Sequence, residues 1–132
     1  MKAPVPFDSW RKDQSGRAED AASHFGYYLI KHCRDEVLRK AKSSPPPQSA
    51  EQFHAALADA VDRALHNVAD LLEGFWPTSA GPDHRTEYSL AVRVRSMDRK
   101  LVEAVEISPC SVDLPIGYWA WREDYSEQAS EA

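Results

Sequence analysis

Apolar residues along this chain change their period once. Up to about residue 75 they recur every three or four positions, and from 88 to 107 they alternate. The first pattern predicts a helix at about 17–42. Ala18, Ala22, Phe25, Leu29, Cys33, Val37 and Ala41 share one of its faces. Gly26 inside it costs roughly 1 kcal/mol relative to Ala, so close packing is the expected reason for it. Ser43-Ser44-Pro45-Pro46-Pro47 ends the helix, because proline lacks an amide donor and biases its predecessor away from helix.

A second helix follows. Ser49 is a good N-cap and Gln52 lies three residues on, the spacing of a capping box. Phe53, Leu57, Ala60, Val61, Ala64, Leu65, Val68, Leu71, Leu72 and Phe75 make one continuous stripe. Gly74 and Pro77 mark the stop. Two long helices joined by a short stiff turn are expected to pack antiparallel.

Tyr88, Leu90, Val92 and Val94 alternate with Ser89, Ala91, Arg93 and Arg95, the period of a half-buried strand. Leu101–Ile107 returns after a polar break. A turn at Asp98-Arg99 sets Val92 against Val105, Leu90 against Ile107 and Glu103 beside Val94. Neither turn residue is glycine, so a tight primed turn is not strongly encoded. Ile116-Gly117-Tyr118-Trp119-Ala120-Trp121 reads as a third strand with Trp119 and Trp121 on one face. The order predicts an α+β fold of two layers, a long antiparallel helical hairpin packed on a small, two- to three-stranded antiparallel sheet. The domain covers 16–125, between an N-terminal arm at 1–15, with Phe7 and Trp10 as anchors, and an acidic tail at 126–132.

The 132 residues suit one domain, and 42% hydrophobic with 28% charged residues places the chain in the globular class. No apolar run approaches the ~20 residues that cross a bilayer. The N-terminal stretch carries no apolar core of a secretory signal, so the expected compartment is cytoplasmic. Cys33 and Cys110 are expected to be buried thiols. A net charge of −5 disfavours a general nucleic-acid binder, since phosphate contacts need clustered Lys and Arg. Arg85, Arg93, Arg95, Arg99 and Lys100 do gather around the hairpin with Tyr88, an arrangement that suits a base-stacking sheet. Glu103 and Glu106 lie close enough for cross-strand ion pairs, the simpler account.

Candidate chemistry is sparse. Asp62, His66 and Asp70 at i, i+4 and i+8 suit a carboxylate–histidine pair or a metal, but they fall opposite the apolar stripe, where a solvated face is expected. Asp20 and His24 share this spacing on the first helix and His32 adjoins Cys33, and both histidines are expected to lie on the helical surface. No C-x-x-C or H-E-x-x-H spacing is present, and no glycine-rich phosphate loop, so neither a metal site nor a cofactor is expected. Cys110, His84 and Asp113 are the one set that suggests nucleophilic catalysis. Nothing around Cys110 lowers its pKa.

These readings favour a non-enzymatic protein-binding module, a small acidic inhibitor, immunity or chaperone-type protein that occludes a partner or pairs with its own copy as a homodimer. Its contact residues would be Arg93, Arg95, Val102 and Ala104 on the sheet and Tyr118, Trp119 and Trp121 in the aromatic segment. A small cysteine-dependent enzyme using Cys110, and a structural subunit of a phage-type assembly, are the alternatives.

Overall fold

A computed structural model describes residues 17–109 and 112–127. The N-terminal arm expected at 1–15, Cys110, and most of the acidic tail lie outside the described residues. The elements run α1 (Arg17–Tyr28), a π-helical segment (Leu29–Asp35), α2 (Glu36–Ser43), α3 (Ala50–Glu73), β1 (Leu90–Arg95), β2 (Leu101–Ser108) and α4 (Leu114–Tyr125). Helices combined with a two-stranded antiparallel sheet make the α+β fold that the periodicity predicts.

The first helix is continuous from Arg17 to Ser43, but its middle is wound as π-helix. A π turn takes more residues than an α turn, so the faces realign. A straight α-helix at about 100° per residue would set Ile30 and Leu38 some 80° apart. The π segment brings them back toward one side. Cys33 and Val37 are buried against the second helix. Gly26 is not explained by close packing, since a Cβ there would meet nothing within 4 Å.

α3 matches its sequence signals at both ends. Ser49 Oγ accepts from Gln52 N at 3.1 Å, while the Gln52 side chain reaches one residue further than a capping box and accepts from Gln48 N at 2.8 Å. Gly74 takes φ 79°, and Phe75 N donates to Asp70 O at 3.0 Å, closing the C-terminus. The pair is antiparallel. Asn67 Nδ2 donates to the His32 carbonyl at 3.1 Å, and Tyr28 Oη accepts from Ser79 N at 3.0 Å just beyond the end of α3.

The hairpin register follows Val92↔Val105 and Val94↔Glu103 as the pattern predicts. Near its base it departs: Leu90 faces Ser108 rather than Ile107, because a bulge lies between Leu90 and Ala91. Arg99 accepts φ 69° at the turn, the left-handed conformation that a glycine would otherwise supply. Ser108 is fully buried, and its hydroxyl accepts from Leu90 N at 3.0 Å, so the base is anchored. The blade beyond it is exposed on every residue of β1 and on Leu101–Glu106 of β2.

The aromatic segment is a helix, not a third strand. Asp113 Oδ1 accepts from Ile116 N at 3.0 Å and Pro115 occupies the first turn, a start signal that outweighs the β-propensity of the Tyr and Trp side chains. Trp119 and Trp121, two apart on a helix, therefore point to opposite sides. Both hairpin edges remain unpaired by any third strand among the described residues.

Candidate functional site

The polar row of α3 is a docking strip for α4, not a solvated face. Asp62, His66 and Asp70 are all partly buried. Tyr118 Oη donates to Asp62 Oδ1 at 2.6 Å, and Arg122 Nη1 donates to Asp62 Oδ2 at 2.8 Å. Trp119 stands 5.4 Å from the His66 ring and carries the Arg122 guanidinium at 4.9 Å. Burial first, then the Asp62 carboxylate, pushes the Tyr118 phenol up to about 12.

One turn along, the row meets the π segment. His32 is buried at 5% exposure, stacked on Trp76 at 4.1 Å and 16°. Its ring nitrogens lie 3.5 Å from Glu36 Oε2 and 3.9 Å from Asp70 Oδ2, and His66 Nδ1 lies 3.7 Å from the same Asp70 oxygen. His24, expected at the surface, is also buried, at 2%. Its burial holds the imidazole below its usual pKa range, against the opposing pull of Asp20. The surface expectation failed for both histidines because single-helix periodicity does not see the loop at 76–88 that folds back over α1 and the π segment. Cys33 is buried as expected, and burial, then Asp70 and Glu36, push its thiol up to about 11. A thiol so suppressed is no nucleophile at neutral pH.

A cleft of about 510 Å³ opens beside this cluster, with Glu36, Lys40, Arg63 and His66 around the Trp119 ring. Among the described residues, no group of three or more His, Cys, Asp and Glu side chains is placed to hold a metal ion. His84 is exposed in the loop before the hairpin, and Asp113 serves as the N-cap of α4. Cys110, the nucleophile of the catalytic alternative, lies outside the described residues.

The hairpin is where apolar surface accumulates. Val92 and Val94 share one face with Glu103 and Val105, and past a second bulge between Val94 and Arg95 the pairing is Arg95 with Leu101. Ala91, Arg93, Ala104 and Glu106 form the other face, with Val102 next to it on β2. All are exposed, Val102 to 67%. The expected cross-strand ion pairs do not form: Arg93 faces Ala104, and Arg95 donates to the Arg99 carbonyl at 3.1 Å. Among the described residues, Arg93 is thus left without a carboxylate partner, while Arg95 is held by the turn. In the aromatic segment Tyr118 is half-buried on Asp62, while Trp119 and Trp121 keep about two-fifths of their surface exposed. Trp121 folds back over Gly117, so that a Cβ on Gly117 would stand 2.8 Å from its ring.

A second bare surface was missed in the sequence. The α3 stripe reads as core, yet Phe53, Leu57, Val61 and Leu65 are about half exposed. The stripe is wider than one partner helix can cover, which is the signal that was available. No helix of the described residues is long and apolar enough to cross a membrane. Comparison of the chain with protein-family models, with curated proteins and with solved structures returns no match.

Proposed function

We propose that this protein is a non-enzymatic binding module that occludes a partner protein through its hairpin. The single observation that carries this reading is a hairpin anchored at its base and, among the described residues, bare on both faces and both edges. An isolated two-stranded ribbon is marginal in water, and an exposed strand edge is a template for pairing with another chain. Val92, Val94 and Val105 supply the apolar contact, and an added strand supplies main-chain hydrogen bonds. Arg93 and Arg95, flanking Val102 and Ala104 on the reverse face, suit carboxylates on the partner and set its orientation. The suppressed Cys33 thiol and the structural use of Asp62 and Asp113 fit a binding role better than catalysis.

The test is affinity capture with the intact chain, then reconstitution with the purified captured protein. Val94→Asp should weaken the complex at least tenfold, and Arg93→Glu with Arg95→Glu should mainly slow association, with helical content unchanged in both. Equal binding by Val94→Asp and the parent, or no stoichiometric complex at all, sinks the proposal.

A further inference from the structure

The two edges of the hairpin are not equivalent. Ser96 N donates inward to Lys100 O at 2.9 Å, and Leu90 N donates inward to the Ser108 hydroxyl at 3.0 Å. Main-chain groups alternate sides along a strand, so Val92 and Val94 also turn theirs toward β2. Ala91, Arg93 and Arg95 therefore turn their N–H and C=O groups outward. Among the described residues no strand takes them up. Both irregularities of the ladder fall on β2: the register skips Ile107 between Glu106 and Ser108, and Val102 between Leu101 and Glu103. A bulge interrupts the even spacing of main-chain groups and twists an edge away from pairing. The β1 edge runs its six residues without interruption.

Charge separates the edges too. Leu90–Arg95 holds two arginines and no carboxylate, in a chain of net charge −5, whereas Leu101–Ser108 holds Glu103 and Glu106 and no basic residue. The arginines are two apart, so both rise from one face of β1. Arg95 gives one guanidinium N–H to the Arg99 carbonyl and keeps the others. A strand laid along this edge sets one side chain directly opposite each arginine, and those two side chains are themselves two apart. Its intervening side chains meet Val92 and Val94, which are 48% and 45% exposed.

We propose that the outer edge of β1, and not that of β2, takes up an extended acidic segment of another protein, with carboxylates at alternate positions opposite Arg93 and Arg95 and aliphatic side chains between them. This rests on the hairpin reading, and names its edge and the chemistry of its partner. A second copy of the chain does not fit. No two of its acidic residues are two apart in sequence, and Glu103 and Glu106 fall on opposite faces of the hairpin.

The probe is a capped peptide of alternating valine and glutamate, matched to the six residues of β1, with its valine–lysine counterpart as control. Each is added to the isotope-labelled full chain, and amide exchange is followed residue by residue. Before addition, the amides of Arg93 and Arg95 should exchange faster than those of Val92 and Val94. The glutamate peptide should then protect Ala91, Arg93 and Arg95 and leave the β2 amides unchanged. The lysine peptide should bind about fivefold more weakly. Arg93→Glu with Arg95→Glu should reverse that preference. Comparing the two peptides needs no variant, so misfolding cannot obscure the answer. Equal binding of both peptides, protection along β2, or no protection overturns the proposal, and in the last case the arginines only keep the edge from pairing. So does protection of Arg93 and Arg95 that rises with protein concentration before any peptide is added, the mark of a second copy. Each of these results leaves the hairpin reading to its Val94→Asp test, whereas equal binding by Val94→Asp sinks that reading even where the peptide binds.

Discussion

Asp62 shows how much one side chain can decide. It accepts from both Tyr118 and Arg122, and so fixes α4 on α3. Tyr118→Phe keeps the ring and removes one bond to a charged acceptor, a loss of about 1.5–3 kcal/mol at most, given its partial exposure. Chemical denaturation should show a lower midpoint with unchanged slope. The pH dependence has a definite sign. The folded state raises Tyr118 from 10.0 to about 12 and Cys33 from 9.0 to about 11. The unfolded chain therefore releases these protons first. The stability they contribute is complete below pH 9 and is lost as pH rises through 11 to 12. Alkaline unfolding should begin within that window, and Tyr118→Phe should flatten its upper part. An absorbance titration of tyrosinate in which every tyrosine of the folded chain ionises near 10 contradicts this assignment. Cys33 should label slowly with a thiol reagent in the native protein, at a rate set by opening rather than by pH.

At the scale of elements, helix starts and stops were legible and helix faces were not. Ser49, Gly74 and the proline run carry local signals, because capping is decided within a few residues. The expected third strand is a helix because the start signal at Asp113 and Pro115, just before the aromatic segment, outweighs the strand preference of Tyr118, Trp119 and Trp121. Gly117 makes this helix testable. Alanine there gains roughly 1 kcal/mol in helix propensity but meets the Trp121 ring, which has room to swing outward. Gly117→Ala should leave stability changed by less than about 1 kcal/mol while red-shifting tryptophan emission. A Gly117→Ala/Trp121→Phe double variant should lose that shift. An unshifted spectrum for Gly117→Ala means the ring stays over the helix. The π segment left no readable trace, since its effect is a rotation of faces that separate runs of periodicity do not record.

At the scale of the whole molecule, exposed apolar side chains among the described residues lie on the hairpin, on the Phe53–Leu65 stripe of α3, and at Phe75, Ile116 and Tyr125 around α4. Self-association through any of these exposed apolar surfaces would link folding to association, and the unfolding temperature would then rise with protein concentration. Melting curves over a hundredfold range of concentration decide it. A concentration-independent midpoint belongs to a chain that folds alone.

The sequence alone determined part of the element order, though not helix α4 or the π segment. It placed two long helices, the central hairpin register and the burial of Cys33, because periodicity, caps and turn residues act over a few neighbours. Tertiary structure decided everything that depends on who covers whom. It put His24 and His32 inside, turned Asp62 and His66 from a solvated row into the seat of α4, and left Phe53 to Leu65 and the hairpin bare. An amphipathic stripe states that a residue seeks cover. It does not state whether that cover lies within the chain, and at this protein's two open faces the described residues supply none.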